Sequence, residues 1–340
     1  MRWGSLDLQE YQDFECAPFV DPVIWENKER KYATCFKPSQ LKKIIKAYNK
    51  KHPQNSIVIE SDDQYLLWES IRSRLSADCE DSDVCWTSLP FMNTFLSPEE
   101  LEKMKSQFRP RLPIEKNGKT HEVWLSNFDI DNVMRQYEIV YPNFKFIGCF
   151  PCDWAKYMNN YALDAETIIK LLNSGFNQLA VIFNTGTLSS GGQHWVCVFM
   201  DLKDNMSIEY FDSVGNKCQK NIRAWLDKTQ DLINNTCKRD KKYYCEKKIS
   251  RQTYNGNHQK RGGECGVYCL YFIVRRLYGD TYKEIDTVKI PDETMSLLRI
   301  VFFRHPDNDN KKHDYDFKNL KNSYLKKAGS NGRKEHFIDR

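Results

Sequence analysis

Between residues 179 and 212 three apolar runs, Leu179–Asn184, Trp195–Leu202 and Ser207–Asp212, follow one another across short polar intervals. Runs this short, rich in Val, Ile, Phe and Tyr and bounded by turn formers, read as strands rather than helices. The interval Asp201-Leu-Lys-Asp-Asn205 suits a hairpin connection, so the second and third runs are expected as antiparallel neighbours. On either side the apolar period lengthens to that of amphipathic helices, at about 128–139, 165–174, 220–234 and 265–278. Strands mixed with turns and helices imply an α+β architecture.

Upstream the pattern is different. Ser39–Lys50, Asp62–Leu75 and Ser97–Phe108 carry helical spacing, and Ser97-Pro98-Glu99-Glu100 supplies an N-cap, a first-turn proline and early acids. Arg109–Lys119 is rich in proline early and ends on Lys-Asn-Gly-Lys, as a linker or domain edge does. The expected division is a mostly helical, arm-like domain at 1–120, a core domain at 121–310 and a basic, flexible tail at 311–340.

Charge narrows the function. The net charge is +5, and residues 311–340, with nine Lys/Arg against four Asp/Glu, account for all of it, which leaves the rest neutral. A pI near 8.4 with no basic face elsewhere predicts no nucleic-acid partner. No uncharged apolar run approaches the roughly 18 residues of a membrane span, so no membrane partner is expected either. The opening MRWGSLDLQEYQDFE lacks the apolar stretch of a signal peptide, so the twelve cysteines are expected as reduced thiols. Cys149-Phe-Pro-Cys152 invites a zinc reading, but no second CxxC accompanies it, and Cys79/Cys85 and Cys237/Cys245 are spaced unlike compact zinc motifs. No metal and no cofactor is expected.

Four positions carry potential chemistry. Gly262-Gly-Glu-Cys265-Gly opens a helix whose stripe is Val267, Leu270, Tyr271, Val274 and Leu277, so Cys265 stands at a helix N-terminus, where unpaired N–H groups and the helix dipole stabilise a thiolate. His194 follows Ser-Ser-Gly-Gly192 at the start of a strand, and histidine is the natural proton carrier near neutral pH. Asp212 ends the next strand, within reach of that imidazole if the two strands pair. Gln259, on the loop leading to the helix, is placed to donate to an oxyanion alongside the Cys265 backbone N–H. Taken singly, each has a bland reading: a small core thiol, a strand-start histidine, a turn-capping aspartate, a loop glutamine. Their combination favours nucleophilic catalysis.

His-Trp at a strand start, Asp at the end of the next strand and Gln-x5-Cys-Gly opening a helix resemble the ubiquitin-like-protein-specific protease and adenain superfamily. The sequence resembles more closely still a polyprotein-processing branch of that superfamily from African swine fever virus, through His194-Trp-Val, Ser207-Ile-Glu-Tyr-Phe, Gly215-Asn, Glu264-Cys-Gly and Leu125-Ser-Asn-Phe-Asp-Ile-Asp131. Cys79 and Cys85 look like a stretch of that branch's helical N-terminal domain.

The resemblance implies a papain-like cysteine protease core, a central mixed sheet flanked by helices, with His194, Asp212 and Cys265 catalytic and Gln259 in the oxyanion hole. It implies Trp195 as a wall of a substrate channel that admits glycines; Asn184, at the end of the preceding strand, is a further candidate for facing the cleft. It further implies viral structural polyproteins with Gly-Gly-X sites as substrates, cleaved during virion maturation in the host cytoplasm by an enzyme packaged in the virion. Removal of ubiquitin-like modifiers, acetyl transfer of the kind bacterial effectors perform, and a non-catalytic virion protein of the same fold are the alternatives. Two positions depart from the viral branch, which has asparagine where Asp212 stands and a further glutamine where this chain has Gly262.

Overall fold

A computed structural model describes residues 16–20, 34–79, 82–113, 123–157, 163–240, 248–253 and 256–304. The chain divides into two compact units, one built on 113–299 and one on the residues before 113 together with 300–304. The basic stretch 311–340 lies outside the described residues.

The N-terminal unit is helical: α1 (Pro38–Lys51), α2 (Gln64–Cys79), α3 (Asp83–Trp86), α4 (Pro90–Phe95) and α5 (Pro98–Lys105). Proline at the first position of α1, α4 and α5 forfeits only an N–H that has no helical partner there. Ser97 and Glu100 close a reciprocal box: the Ser97 hydroxyl accepts the Glu100 N–H at 3.2 Å and the Glu100 carboxylate accepts the Ser97 N–H at 3.1 Å. Phe36, Leu41, Ile44, Ile45, Ile71, Trp86 and Met92 are wholly removed from solvent. Arg304 completes the unit by donating its N–H to the Pro110 carbonyl and accepting that of Leu112.

This unit corrects one expectation. Cys16–Cys35 and Cys79–Cys85 are disulfides, not reduced thiols. The fold brings each pair to a Cα separation within bridging range, 5.1 and 5.5 Å.

In the other unit a five-stranded mixed sheet runs in chain order, β1 (Phe144–Pro151), β2 (Gln178–Asn184), β3 (Trp195–Asp201), β4 (Ser207–Phe211) and β5 (Ser250–Thr253). The central three strands are antiparallel and both edge strands pair parallel to their neighbours. Around the sheet lie α6 (Asn127–Val140), α7 (Ala165–Asn173), α8 (Lys220–Asp240), α9 (Cys265–Leu277), α10 (Tyr282–Thr287) and α11 (Asp292–Phe302). Alternation along the strands serves both faces: Val181, Phe183, Val196, Val198, Ile208 and Tyr210 pack with Ile168, Leu172, Ile222 and Leu226 of α7 and α8. On the opposite face α9 lies on β3, and Phe211 stacks on Phe272 with ring centroids 4.5 Å apart.

A buried ion cluster fixes the far end of α9. Arg276 donates to both oxygens of Glu209, at 2.7 and 3.0 Å, and to Asp201 at 3.0 Å. Three fully buried charges cost several kcal/mol each to desolvate, so such a cluster chiefly specifies where a helix sits. Here the helix is the one that begins with Cys265.

Candidate active site

The antiparallel register pairs Cys197 with Phe211 and Asp201 with Ser207, so the start of β3 and the end of β4 lie at the same end of the central strands. His194 stands immediately before β3 and Asp212 immediately after β4. Their side chains meet: His194 Nε2 is 2.7 Å from Asp212 Oδ1. Asp212 is 1 % exposed, and the same oxygen accepts the Val214 N–H at 2.9 Å. Its carbonyl accepts the Gly215 N–H at 3.0 Å, so Asp212 starts a turn and meets the imidazole as well.

Two devices deliver His194. Asn184 Oδ1 accepts the N–H groups of Gly186 and Gln193, both at 2.9 Å, which closes the loop between β2 and β3. Within that loop Gly191 and Gly192 have φ of 73° and 91°, a region costly for any residue with a Cβ. Asn184 is buried, and the bonds its oxygen makes hold the histidine loop.

Cys265 is the first residue of α9 and is 5 % exposed. Its thiol lies near enough to His194 to interact with the imidazole. Because Nε2 faces Asp212, Nδ1 is the ring nitrogen left for the sulfur. Burial pushes the His194 pKa down, but the hydrogen bonds to Asp212 and Cys265 and the charges of both outweigh it and raise it to about 9. The imidazole therefore holds its second proton at neutral pH, beside a sulfur at a helix N-terminus, where negative charge is stabilised.

Gln259 is brought to the same place. Its Oε1 accepts the Ser213 hydroxyl at 2.6 Å and its Nε2 donates to the Arg261 carbonyl at 2.6 Å, which engages one of two amide hydrogens. Its backbone N–H and that of His258 both donate to the Ser213 carbonyl at 2.9 Å. Trp195, 8 % exposed, donates its indole N–H to the Leu125 carbonyl at 2.8 Å. Leu125 also packs on Gly266, where an added Cβ would come within 3.1 Å of its side chain. The residue after Cys265 is thus small because the Leu125 side chain packs against it.

Ser213, which ties the acid strand to the glutamine, escaped the sequence reading: a serine after a strand-end aspartate carries no distinguishing pattern. Among the described residues no three His, Cys, Asp or Glu side chains gather to hold a metal ion.

The chain is 32% identical over 297 residues to the putative thiol protease R355 of Acanthamoeba polyphaga mimivirus, covering 82% of this chain and 92% of the relative. Residues 178–312 match the model of the Ulp1 protease family, C-terminal catalytic domain. The chain belongs to the Ulp1 family of cysteine proteases. The same family relation extends to a SUMO-1 cysteine protease of African swine fever virus, 25% identical over 242 residues, covering 66% of this chain and 83% of that one. A crystal structure of an African swine fever virus protease superposes with a TM-score of 0.58 at 20% identity, covering 86% of this chain and 96% of that one. That likeness agrees with the mixed sheet, its flanking helices and the helical N-terminal region. This Ulp1-family member is therefore a thiol protease whose relatives are viral.

Proposed function

We propose that the protein is an endopeptidase that cleaves viral structural polyproteins after Gly-Gly, with Cys265 as nucleophile. The observation that carries this reading is the hydrogen bond of Asp212 to His194 at 2.7 Å, with Cys265 beside that imidazole at a helix N-terminus. His194 and Cys265 stand as an imidazolium–thiolate pair, with the thiol proton on Nδ1, and the thiolate attacks the carbonyl carbon of the second glycine. The oxyanion that forms is held by the Cys265 backbone N–H and the remaining amide hydrogen of Gln259. Collapse breaks the C–N bond, and the imidazolium gives its proton to the leaving amine. Water, deprotonated by His194, then attacks the thioester, releasing the carboxylic acid and restoring the imidazolium–thiolate pair. Asp212 holds the imidazole in one orientation throughout and stabilises its charged form.

Specificity for glycine rests on Trp195, whose ring is fixed through Leu125 next to His194 and, in this reading, leaves room only for residues without side chains. Its setting is virion maturation at assembly sites in the host cytoplasm, with the enzyme packaged in the particle. A second substrate class is supported by one finding: the African swine fever virus relative is named a SUMO-1 cysteine protease, and ubiquitin-like modifiers also end in Gly-Gly.

Turnover of a Gly-Gly-X polyprotein segment and of a ubiquitin-like fusion by the wild type and by Cys265→Ala, His194→Ala and Asp212→Ala tests both. Cleavage of the polyprotein after Gly-Gly that disappears in Cys265→Ala is expected. Undiminished cleavage by that variant would sink the assignment, and exclusive cleavage of the fusion would replace the substrate.

A further inference from the structure

The loop 256–264, which carries Gln259 and leads into Cys265, has no regular secondary structure, so something else must hold it. One helix does so at both ends. Asp292, Ser296 and Arg299 are spaced by four and three residues and so share one face of α11. All three side chains point polar atoms at the loop.

Asp292 Oδ2 accepts the N–H groups of Lys260 and Arg261, both at 2.9 Å. Its other oxygen lies 3.0 Å from the Tyr268 hydroxyl, which belongs to α9. Arg261 in turn presents the carbonyl that takes the Gln259 amide. Seven residues further along, Arg299 donates Nε to Glu264 at 2.8 Å, and Nη2 to the carbonyls of Val123 at 2.7 Å and Gly263 at 3.1 Å. Ser296 donates to the other Glu264 oxygen at 2.7 Å. Glu264 and Arg299 are each 1 % exposed, and Asp292 is 8 % exposed.

Burying a carboxylate–guanidinium pair and a second carboxylate is unfavourable unless geometry is gained in return. An apolar face on α11 would serve the core as well. What this face supplies instead is a fixed path for an irregular loop, with the oxyanion donor at one end and the nucleophile at the other. We infer that Asp292 and Arg299 are positioning residues of the protease, Asp292 setting the Gln259 amide and Arg299, through Glu264, setting Cys265 against His194. This rests on the assignment of Cys265, His194 and Gln259 made above.

The two halves of the stripe separate in experiment. In the full chain, Asp292→Asn keeps the size and one acceptor but loses the charge that two N–H groups share. It is expected to lower kcat on a Gly-Gly-X substrate by on the order of 10²-fold with KM little changed. The pH profile of Cys265 alkylation by iodoacetamide should stay that of the wild type, because the thiol and imidazole are undisturbed. Arg299→Lys keeps the charge but cannot span a carboxylate and two carbonyls, so it should shift that alkylation profile as well as lower kcat. Circular dichroism and melting temperature report whether each variant is folded. Because Arg299→Ala would leave the buried Glu264 without its counter-ion and risks unfolding, the lysine variant and Glu264→Gln are the informative pair.

A folded Asp292→Asn with wild-type kcat, or losses that only track the unfolded fraction, would overturn the positioning role. A folded Arg299→Lys with an unmoved alkylation profile would do the same for its half. Cys265→Ala, run alongside, keeps the two questions apart: activity surviving there removes the catalytic assignment itself, whatever the α11 variants do.

Discussion

The helical unit holds Cys16–Cys35 and Cys79–Cys85 as disulfides, whereas the six free cysteines among the described residues, Cys149, Cys152, Cys197, Cys218, Cys265 and Cys269, all belong to the sheet unit. The sheet unit has a core packed between the sheet and its helices. The helical unit is built from helices of 4 to 16 residues, each too short to be stable alone, and cross-links reduce the entropy its unfolded chain would gain. Cysteine thus serves as a strut in one region and, in the proposed mechanism, as the nucleophile in the other. Cys269 follows Cys265 by one helical turn and faces Cys197, and burial with the Cys197 hydrogen bond keeps its thiol protonated. An unreactive thiol beside a reactive one is what burial away from the helix end predicts.

The sharpest way to break this contrast is at the reactive thiol. Cys265→Ala should reduce cleavage of a Gly-Gly-X substrate by on the order of 10⁴-fold or to background, measured as initial rate on folded protein. The matched control is Cys269→Ser, expected to cost stability through its buried hydroxyl while leaving one rapidly alkylated thiol, read by mass spectrometry. Rapid alkylation at Cys269 in place of Cys265 would reverse the assignment.

Asp212 comes next. Asp212→Asn should lower kcat by on the order of 10²- to 10⁴-fold, since the imidazole loses both its orienting charge and its preference for one tautomer. It also changes the pH dependence. The folded His194 pKa is raised from 6.5 to about 9, so the stability it contributes is fully present below about pH 6.5 and lost as pH rises through about 9. Melting temperature measured from pH 6 to 10 should therefore fall across that window in the wild type and fall less in Asp212→Asn. The alkaline limb of kcat/KM is expected near pH 9 in the wild type and at lower pH in the variant. An alkaline limb that does not move would detach the carboxylate from the histidine.

Much of this was legible before the structure, for reasons that differ from place to place. The helices at 38–51, 127–140, 165–173 and 265–277 and the three central strands were readable because apolar spacing and caps agree there. β1 was not read as a strand, because Gly148 and Pro151 weigh against one. The sheet absorbs both, through a register shift between Phe146 and Gly148 and by placing β1 at an edge. β5, Ser-Arg-Gln-Thr, is a half-exposed edge strand with no apolar signal. At the site, His194, Asp212, Gln259 and Cys265 were singled out by residue type and order. Ser213, Asp292 and Arg299 were not, since their role lies in hydrogen bonds to groups 31 to 176 residues away in the chain, which no local pattern encodes. The disulfide at Cys16 and Cys35 was missed for the same reason, its partners being 19 residues apart and joined only by the fold.

The cross-links themselves give a smaller effect and test the other half of the contrast. Cys16→Ser with Cys35→Ser opens a loop of 19 residues and should lower stability of the helical unit by about 3 kcal/mol in the chain-entropy view, read as a drop in its melting transition. Turnover of a short Gly-Gly-X peptide should be unchanged at temperatures below that transition, because every group placed in the catalytic machinery belongs to the other unit. A parallel fall in peptide turnover would show that the two units do not divide strut from nucleophile.

The smallest expected effect probes the same unit without touching sulfur. Ser97→Ala removes the hydroxyl that accepts the Glu100 N–H and leaves the Glu100 carboxylate with only the Ser97 N–H and Lys43 as partners. A lost N-cap costs about 1 kcal/mol. Lys43→Ala should cost less, because the Lys43–Glu100 pair is exposed on both sides and water screens it. Urea unfolding of the two single variants and the double variant separates the terms, with most of the loss assigned to the cap. A larger loss from Lys43 than from Ser97 would mean that charge at the surface, and not backbone satisfaction at helix ends, is what the cross-linked unit relies on besides its disulfides.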